Sequence, residues 1–344
     1  MSLLTRFFHP VLRSGALRDK PVRVVIDGDA FVLFRDASGR ACALVDQCPH
    51  RFAPLSAGHV RQDGRLACAY HGWHFDGDGH GKSPSQPSLS RCDVRPMRVA
   101  ERLGYLWLAD RETPLSTLPR WDFEADFRFC GAFGTRFRAP LHVVLDNFSE
   151  DEHTPFVHTR LGWNEADADR IGFRADNHGN HTSVHYDAPQ RPTRVGRLFG
   201  LRPGDVFHND WVTRFEPVCT VYETKWVEPR TGEPRPLRIT SPMFFVPIDE
   251  HTTMLHAFVF VRLGALHDRL FPLLKHIATA AAWAEVRDDA RFIPVVAKTP
   301  SSMTGMRLGK FDKPLIHNRR LLESLYFGKV ATGRGEPVSL LDRR

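Results

Sequence analysis

The chain has 344 residues, which is enough for one large domain or two ordinary ones. Apolar residues make up 42% of it and charged residues 25%, as in globular proteins rather than disordered ones. The net charge is +7, but the Lys and Arg residues are dispersed, so we expect no nucleic-acid partner. No segment reaches the roughly 18 apolar residues of a membrane-spanning helix, and the apolar run at the N-terminus is too short for a signal peptide. We therefore expect a cytoplasmic protein with no membrane segment.

The first part of the chain alternates short apolar runs with turn residues. Residues 22–26, 30–34, 41–45 and 103–108 are predicted strands, and Asp-Gly or Ser-Gly pairs mark turns between them. Two prolines and several polar residues then predict a linker over residues 110–122. We therefore predict an all-β domain over residues 1–112.

The remainder, residues 113–344, combines both kinds of pattern. Residues 141–162 carry helix signals, and residues 181–262 contain apolar runs typical of strands. Apolar residues recur at helical spacing over residues 267–297, which predicts a long helix near the C-terminus. The predicted fold class is α+β, with an all-β N-terminal domain followed by an α+β domain.

Two pairs of metal-ligating residues lie in the predicted β domain. Cys48 and His50 form a Cys-x-His pair, and after seventeen further residues Cys68 and His71 form a Cys-x-x-His pair. Such a set fits either a structural zinc site or a Rieske cluster, in which two Cys hold one iron and two His hold the other. A zinc finger places its His pair on a helix, whereas here each His follows a Cys among glycines and prolines. The context therefore favours the cluster.

The fuller segments, residues 48–56 and 68–76, closely resemble the cluster-binding loops of Rieske domains. The resemblance implies a 2Fe–2S cluster bound by the four residues of the two pairs. One position departs from the family, which commonly has glycine where this chain has Phe52. Respiratory Rieske proteins add a disulfide between the loops and a serine beside the second His. Ala53, Tyr70 and Trp73 occupy those positions here. We therefore expect a different subtype, with a lower reduction potential.

A second candidate metal site lies within residues 146–158. His153 and His158 are five residues apart, which is about 140° around a regular helix, so they would not share a helical face. Pro155 disfavours a regular helix between them, and a break there would let both side chains converge. Together with four carboxylates in the segment, this is typical of half of an iron site with two His ligands and one carboxylate. An exposed acidic segment that happens to contain two histidines is the alternative interpretation.

This segment resembles the iron motif of Rieske non-haem iron oxygenases, Asn-x-x-Asp-x-x-His-x-x-x-x-His. Its position after the Rieske-like domain supports this interpretation. Asn147, His153 and His158 match the motif, and its Asp falls on Glu150. In the family that carboxylate links the cluster of one subunit to the iron of the next. The resemblance thus assigns the bridge to Glu150, with His71 as its cluster-side partner, and Asp151 is the alternative.

The resemblance also implies a third iron ligand from the C-terminal helix. Glu285, Asp288 and Asp289 are the candidates. In the smaller family members the ligand is the second acid of an acidic pair that precedes an apolar helical turn. This points to Asp289, with Asp288 as the alternative, and predicts that the other acids lie on a solvated helix face.

The resemblance covers essentially the whole chain and implies a catalytic domain of the helix-grip type with mononuclear Fe(II). The length is similar to that of the homotrimeric, α-only group, which includes vanillate O-demethylase-like and dicamba-demethylase-like monooxygenases. The implied function is that of an oxygenase component. It would use O2 and electrons from a ferredoxin or flavin reductase to hydroxylate or oxidatively demethylate a small apolar or aromatic substrate.

Two other functions stay open at this point. One is a ring or aliphatic C–H hydroxylase or dioxygenase in natural-product tailoring. The other is a Rieske electron-transfer protein without oxygenase chemistry, against which the intact pair of His153 and His158 argues. The chain has no Gly-rich dinucleotide fingerprint after a strand, so we expect its reductase to be a separate protein.

Several other residues with chemical potential are expected to be structural. The cysteines outside the motif have apolar neighbours and are predicted to be buried: Cys42, Cys92, Cys130 and Cys219. Five histidines stand singly and are expected to be packed or surface residues: His142, His185, His208, His256 and His276. Four aromatic residues are expected in the core rather than around a pocket: Trp163, Phe207, Trp211 and Phe292.

Overall fold

The structure, a computed structural model, describes residues 2–89, 92–158, 162–191, 194–331 and 337–339. The chain divides into two compact units, residues 1–119 and 120–344. The division falls inside the predicted linker of residues 110–122, somewhat after the boundary placed at residue 112.

The N-terminal unit is built from antiparallel strands. They are β1 (His9–Arg13), β2 (Val22–Ile26), β3 (Asp29–Arg35), β4 (Ala41–Val45), β5 (His59–Val60), β6 (Leu66–Ala67), β7 (His74–Phe75), β8 (Gly81–Lys82), β9 (Pro96–Arg102) and β10 (Tyr105–Asp110). Six of them form one sheet in the order β1-β10-β9-β4-β3-β2, and β5 to β8 form a small second sheet. Short 3-10 turns complete the unit at Leu3–Arg6, Ser14–Ala16, Leu55–Ala57 and Leu115–Thr117. The predicted all-β character of this part is confirmed.

Turn residues decide where these strands begin and end. Asp27 and Gly28 have φ angles of 50° and 82°, the left-handed conformation that a two-residue hairpin turn requires, and they join β2 to β3. Leu103 and Gly104 also have positive φ angles, of 52° and 70°. The strand predicted from residue 103 therefore starts only at Tyr105, because its first two positions form the turn after β9.

The buried core of this unit extends to the base of both predicted cluster loops. Phe34 on β3, Leu44 on β4 and Phe75 on β7 belong to one hydrophobic cluster that also contains Cys48 and Cys68. The two cysteines are thus held by packing against the sheets, and the loops that follow them project from this base.

The C-terminal unit consists of one large sheet with helices. Its strands are β11 (Arg128–Phe137), β12 (Gly172–Asn177), β13 (His181–Pro189), β14 (Val206–Phe215), β15 (Val218–Val227), β16 (Pro234–Asp249), β17 (Thr252–Arg262), β18 (Lys329–Ala331) and β19 (Pro337–Ser339). Its helices are α1 (Leu141–Asn147), α2 (Thr154–Val157), α3 (Arg194–Leu198), α4 (Ala265–Asp268), α5 (Phe271–Phe292) and α6 (Leu315–Leu321), with a π-helical turn at Leu322–Tyr326 and 3-10 turns at Asp122–Ala125, Glu165–Arg170 and Ile293–Val295.

Seven antiparallel strands form the sheet in the order β11-β17-β16-β15-β14-β13-β12, and α5 packs against β11 and β17. This confirms the predicted α+β class. The helix is shorter than the predicted span of residues 267–297 because prolines frame it. Pro272 lies in its first turn, where its missing N–H is tolerated, and Pro294 follows its end. None of the helices in the described part of the chain is long and apolar enough to cross a bilayer.

Candidate metal centres

The two Cys-His pairs lie on two loops with the same backbone conformation. In the loop between β4 and β5, the Cys48 N–H donates to Ala53 O (2.9 Å) and Phe52 N–H donates to Cys48 O (2.8 Å). In the loop between β6 and β7, the Cys68 N–H donates to Trp73 O (2.7 Å) and Gly72 N–H donates to Cys68 O (3.1 Å). In each loop, the backbone N–H and C=O of the cysteine are thus hydrogen-bonded within the same loop.

The conformation of Phe52 explains why glycine is common at its position in the family. Phe52 and Gly72 each stand four residues after a loop cysteine, and their φ angles are 59° and 70°. Only glycine adopts such angles without steric cost, so this chain carries strain at Phe52. The Phe52 side chain is 69% exposed, so packing does not compensate for that strain.

The two loops bring all four predicted cluster residues together. Cys48 and Cys68 are buried, and burial, with a contribution from Cys68, raises the pKa of the Cys48 thiol to about 11. The rings of His50 and His71 have centroids 4.5 Å apart, and Trp73 stacks on His50 at 4.9 Å. The two cysteines thus lie next to each other, as do the two histidine rings, and two sulfur and two imidazole donors are the set that a Rieske 2Fe–2S cluster uses. The buried thiols would release their protons when iron binds, as thiol ligands do.

The second pair of histidines converges because a very short helix separates them. His153 immediately precedes α2, and His158 follows α2 with extended backbone. Pro155 lies in the first turn of α2, where it interrupts no hydrogen bond. The two Nε2 atoms are 3.2 Å apart. The predicted break from a regular helix is thus the feature that joins them.

Asp289 completes this group. Its Oδ1 atom lies 3.4 Å from His153 Nε2 and 3.3 Å from His158 Nε2, and it accepts a hydrogen bond from Asn147 Nδ2 (3.1 Å). Asp289 is only 3% exposed, on the face of α5 that also carries the buried residues Ala278 and Val286. Two imidazoles and one carboxylate within reach of a common point are the donors of a mononuclear iron site.

Asp288, the alternative to Asp289, points in another direction. One residue along a helix is a rotation of about 100°. Asp288 pairs with Arg291, whose Nη1 is 3.3 Å from its Oδ1. It is absent from the metal-ligating groups found among the described residues.

Two further carboxylates contact the outer nitrogens of the histidines. Glu150 Oε1 is 2.5 Å from His153 Nδ1, and Glu285 Oε2 is 3.1 Å from His158 Nδ1. Glu285, a candidate ligand on the sequence, therefore lies behind His158 rather than beside Asp289. Glu285 precedes Asp289 by four residues, about one helical turn, and this spacing could have predicted that both acids face the same histidine. A carboxylate at Nδ1 fixes the ring and its tautomer, so that Nε2 is available to a metal.

The charges in this group are strongly coupled. Burial disfavours the charged form of each histidine, yet Asp289 and Glu150 outweigh it and raise the pKa of His153 to about 10. Asp289 and Glu285 likewise raise the pKa of His158 to about 9. Burial also opposes ionisation of Asp289, but the two histidines lower its pKa to about 2. The donors thus attract positive charge strongly, and a divalent cation would displace the two protons.

Asp151, the alternative to Glu150, is held by other partners. Its Oδ1 accepts from Thr154 Oγ1 (2.7 Å) and its Oδ2 accepts from Trp163 Nε1 (3.0 Å). Burial raises the pKa of this carboxyl. Asp151 therefore anchors the start of α2, while its neighbour Glu150 faces His153.

A cavity of about 220 Å³ opens beside the histidines, between α5 and the sheet. Phe207, Trp211 and Trp226 line it from the sheet, and Ala278 and Ala282 line it from α5. Phe207 and Trp211 are buried, as expected, but they also line the cavity, because alternation along β14 turns both toward it. Trp163 is buried as expected, whereas the expectation for Phe292 was wrong, since it is 46% exposed.

The remaining histidines and cysteines mostly have structural places. All four additional cysteines are buried, as predicted. His142 Nε2 lies 3.0 Å from Thr299 O, and His256 is buried. His185 and His208 do not stand singly, because β-strand pairing brings them together with Asp187. Sequence spacing could not show this group, since it depends on the register of two strands.

Two protein families match the chain. The Rieske [2Fe-2S] domain matches residues 7–96, and the vanillate O-demethylase oxygenase C-terminal domain matches residues 137–326, more than half of the chain. The first match resolves the choice between zinc and a Rieske cluster in favour of the cluster.

Individual relatives support the same grouping. The chain is 30% identical over 213 residues to the 4beta-methylsterol monooxygenase of Methylococcus capsulatus, covering 56% of this chain and 54% of that protein. It is 30% identical over 183 residues to the vanillate O-demethylase oxygenase subunit of a Pseudomonas species, covering 51% of each. The chain spans about half or less of the length of the curated relatives it matches.

Solved structures share the fold over nearly the full length. Dicamba monooxygenase bound to 3,6-dichlorosalicylic acid superposes with a TM-score of 0.76 at 20% identity, covering 95% of this chain and 98% of the other. This likeness of fold agrees with the two domain matches, which show that the chain belongs to the Rieske non-haem iron oxygenase family, with a Rieske [2Fe-2S] domain followed by a catalytic domain of the vanillate O-demethylase oxygenase type.

Proposed function

We propose that this chain is the oxygenase component of a Rieske non-haem iron monooxygenase. It would use O2 and electrons from a ferredoxin or flavin reductase to hydroxylate or oxidatively demethylate a small apolar or aromatic substrate. The observation that carries the proposal is the group of His153, His158 and Asp289, whose donor atoms lie together at the wall of an apolar cavity. An electron-transfer protein would have no use for such a group.

The residues around the proposed iron site have separable tasks. His153, His158 and Asp289 would hold the metal, and Glu150 and Glu285 orient the imidazoles through their Nδ1 atoms. Asn147 donates to Asp289 and fixes its carboxylate. When bound there, ferrous iron supplies the redox chemistry that lets O2 oxidise a C–H bond.

The cavity provides the binding surface for the substrate. Aromatic walls from Phe207, Trp211 and Trp226 favour a flat or apolar molecule and exclude water from the reacting position. Within this wall, Thr224 Oγ1 donates to Asn209 Oδ1 (2.8 Å), which orients the amide nitrogen of Asn209 as a donor for an acceptor group on the substrate. The small side chains of α5 leave the space between helix and sheet open.

Electron supply is proposed to involve more than one chain. In the assembly we propose, a cytoplasmic homotrimer, Glu150 of one subunit would bridge His153 to His71 of the partner subunit. The position of Glu150 supports this role, because its Oε1 lies 2.5 Å from His153 Nδ1, and its Oε2, which accepts from the exposed backbone N–H of Glu152, has a second lone pair for another donor.

Oxygen consumption with a surrogate reductase tests the function. We expect purified chain, reductase and NADH to consume O2 with at least one member of a panel of methoxylated, N-methylated and unsubstituted aromatic compounds. Formaldehyde release would identify demethylation, and its absence alongside a hydroxylated product would identify hydroxylation. Asp289→Ala should lose mononuclear iron and product while keeping the absorbance of the cluster. A wild-type chain that accepts electrons but holds no iron beyond its cluster would contradict the proposal.

A further inference from the structure

Four polar side chains form a compact group on the side of the large sheet that faces away from the cavity. On β13, buried Val184 and Tyr186 alternate with His185 and Asp187, which therefore project from the opposite face. Strand register places Asp187 directly opposite His208 of β14, and His185 opposite Asp210. Two imidazoles and two carboxylates thus meet across one strand pair, outside the site described above.

The geometry of this group repeats that of the iron-site histidines. One donor atom from each of His185, Asp187 and His208 lies within 4.8 Å of the other two. Asp210 Oδ1 contacts His185 Nδ1, and Asp187 Oδ1 is 3.5 Å from His185 Nε2. His185 is therefore oriented by one carboxylate and turned toward another, as His153 is oriented by Glu150 and turned toward Asp289. A carboxylate behind a histidine is the usual support of a metal-binding imidazole.

The neighbouring strand leaves room for the Asp187 carboxylate. Gly172 of β12 pairs with Asp187, and a Cβ atom at this glycine would lie 2.3 Å from Asp187 Oδ1. Any larger residue at this position would displace the carboxylate from where it lies. On the other side, Lys225 Nζ is 3.7 Å from Asp210 Oδ2, so it partly balances the supporting carboxylate rather than Asp187.

We propose that His185, Asp187 and His208 bind a divalent cation of the zinc class, with Asp210 as the residue that positions His185. Two imidazoles and one carboxylate suit Zn²⁺ and leave a coordination position for water. The side chains of His185 and Asp187 are 41% and 34% exposed, so ions can enter directly from solvent. Bound metal would clamp β13 to β14, the strand whose inner residues Phe207 and Trp211 line the cavity.

Zinc binding by the intact, iron-loaded protein tests this site. After equilibrium dialysis against micromolar Zn²⁺, elemental analysis should find one zinc per chain with the iron content unchanged. His208→Ala should abolish this zinc, because only two donors remain, and Asp210→Asn should weaken binding by about 10- to 100-fold. His251→Ala is the matched control, because His251 is an exposed histidine in another part of the unit, and it should bind zinc as the wild type does.

Thermal unfolding provides a second measurement. Zinc should raise the Tm of the wild type and of His251→Ala but not that of His208→Ala, because a ligand stabilises only the folded state that binds it. Retention of stoichiometric zinc by His208→Ala, or absence of zinc from the wild type, would overturn the proposal. In that case the group is an ordinary polar cluster in which His185 lies between two carboxylates. Neither result depends on turnover, so the site and the proposed oxygenase function are tested separately.

Discussion

Glu150 and Asp151 are adjacent in sequence, yet their carboxylates have different surroundings. Glu150 contacts the Nδ1 atom of His153, whereas both oxygens of Asp151 accept hydrogen bonds from Thr154 and Trp163. A bridging carboxylate must contact the outer nitrogen of the iron-side histidine, and of the two acids Glu150 makes this contact, although its other oxygen already accepts from the Glu152 N–H. This difference supports Glu150 as the proposed bridge although the family motif has aspartate there.

Glu150→Gln should therefore uncouple the two centres. An amide keeps the size of the side chain but loses the charge and one acceptor, so we expect product formation to fall about 10- to 100-fold. Cluster absorbance and iron content should stay unchanged, and in a single turnover the rate at which the reduced cluster is reoxidised should fall along with product formation.

Asp151→Asn is the matched comparison for this prediction. It should mainly lower the Tm, because it disturbs two hydrogen bonds at the start of α2. If Asp151→Asn stops electron transfer while Glu150→Gln remains active, the bridge is at Asp151.

At the scale of the element, α5 supplies two carboxylates to the same centre. Glu285 and Asp289 are one helical turn apart, so they point to the same side, and each contacts a different nitrogen of His158. Burying an acid on the apolar face of a helix costs folding free energy unless the acid is paired. The buried position of such an acid therefore indicates function more strongly than the presence of an acidic residue alone. One rigid helix thus sets the position of Asp289, the proposed ligand, and of Glu285, which orients His158.

Glu285 should govern iron affinity without touching the metal. Glu285→Gln should weaken Fe(II) binding about tenfold and Glu285→Ala up to about 100-fold, because the His158 ring loses its charged partner. Competition with a chelator measures this affinity, and cluster absorbance reports that the N-terminal unit is intact. The control is Asp288→Asn, which changes an acid on the same helix that pairs with Arg291 and should leave iron affinity unchanged. Equal losses in Glu285→Gln and Asp288→Asn would indicate a general effect of helix charge.

At the scale of the whole molecule, the chain consists of two compact units, and each carries one of the two candidate iron centres. Cys48, His50, Cys68 and His71 lie in the first unit, and His153, His158 and Asp289 lie in the second. In a closed ring of identical subunits, each first unit can serve the second unit of its neighbour, which is the arrangement we propose.

Mixed oligomers test whether electrons cross between subunits. His50→Ala removes a cluster residue and Asp289→Ala removes the proposed iron ligand, so each variant alone should be inactive. Co-expressed with different tags and purified through both tags, the mixed trimers should regain roughly a third of wild-type activity per chain, because one of the three directed neighbour pairs in each mixed trimer joins an intact cluster to an intact iron site. Light scattering should report a trimer. No recovery in a confirmed mixed oligomer would show that transfer occurs within one chain.

Much of this organisation could be predicted from the sequence because the decisive signals are local. Cys48 and His50, Cys68 and His71, and His153 and His158 are pairs separated by only a few residues, so their spacing alone indicates a metal-binding loop. Pro155 between the last two predicted the break that brings them together, and Asp-Gly turns predicted the hairpins of the first unit. Such features can be recognised without knowledge of the fold, because a segment of so few residues has few possible conformations.

The rest was decided by tertiary structure, for a related physical reason. Whether Asp288 or Asp289 faces the histidines depends on the rotation of α5 against the sheet, and a change of one residue is about 100°. Whether Phe207 lines a cavity, and whether His185 meets His208, depends on strand register, where a shift of one residue exchanges the two faces of the sheet. The sequence by itself determined which donor types are present and which are close along the chain, whereas packing of α5 and pairing of β13 with β14 determined which distant donors meet.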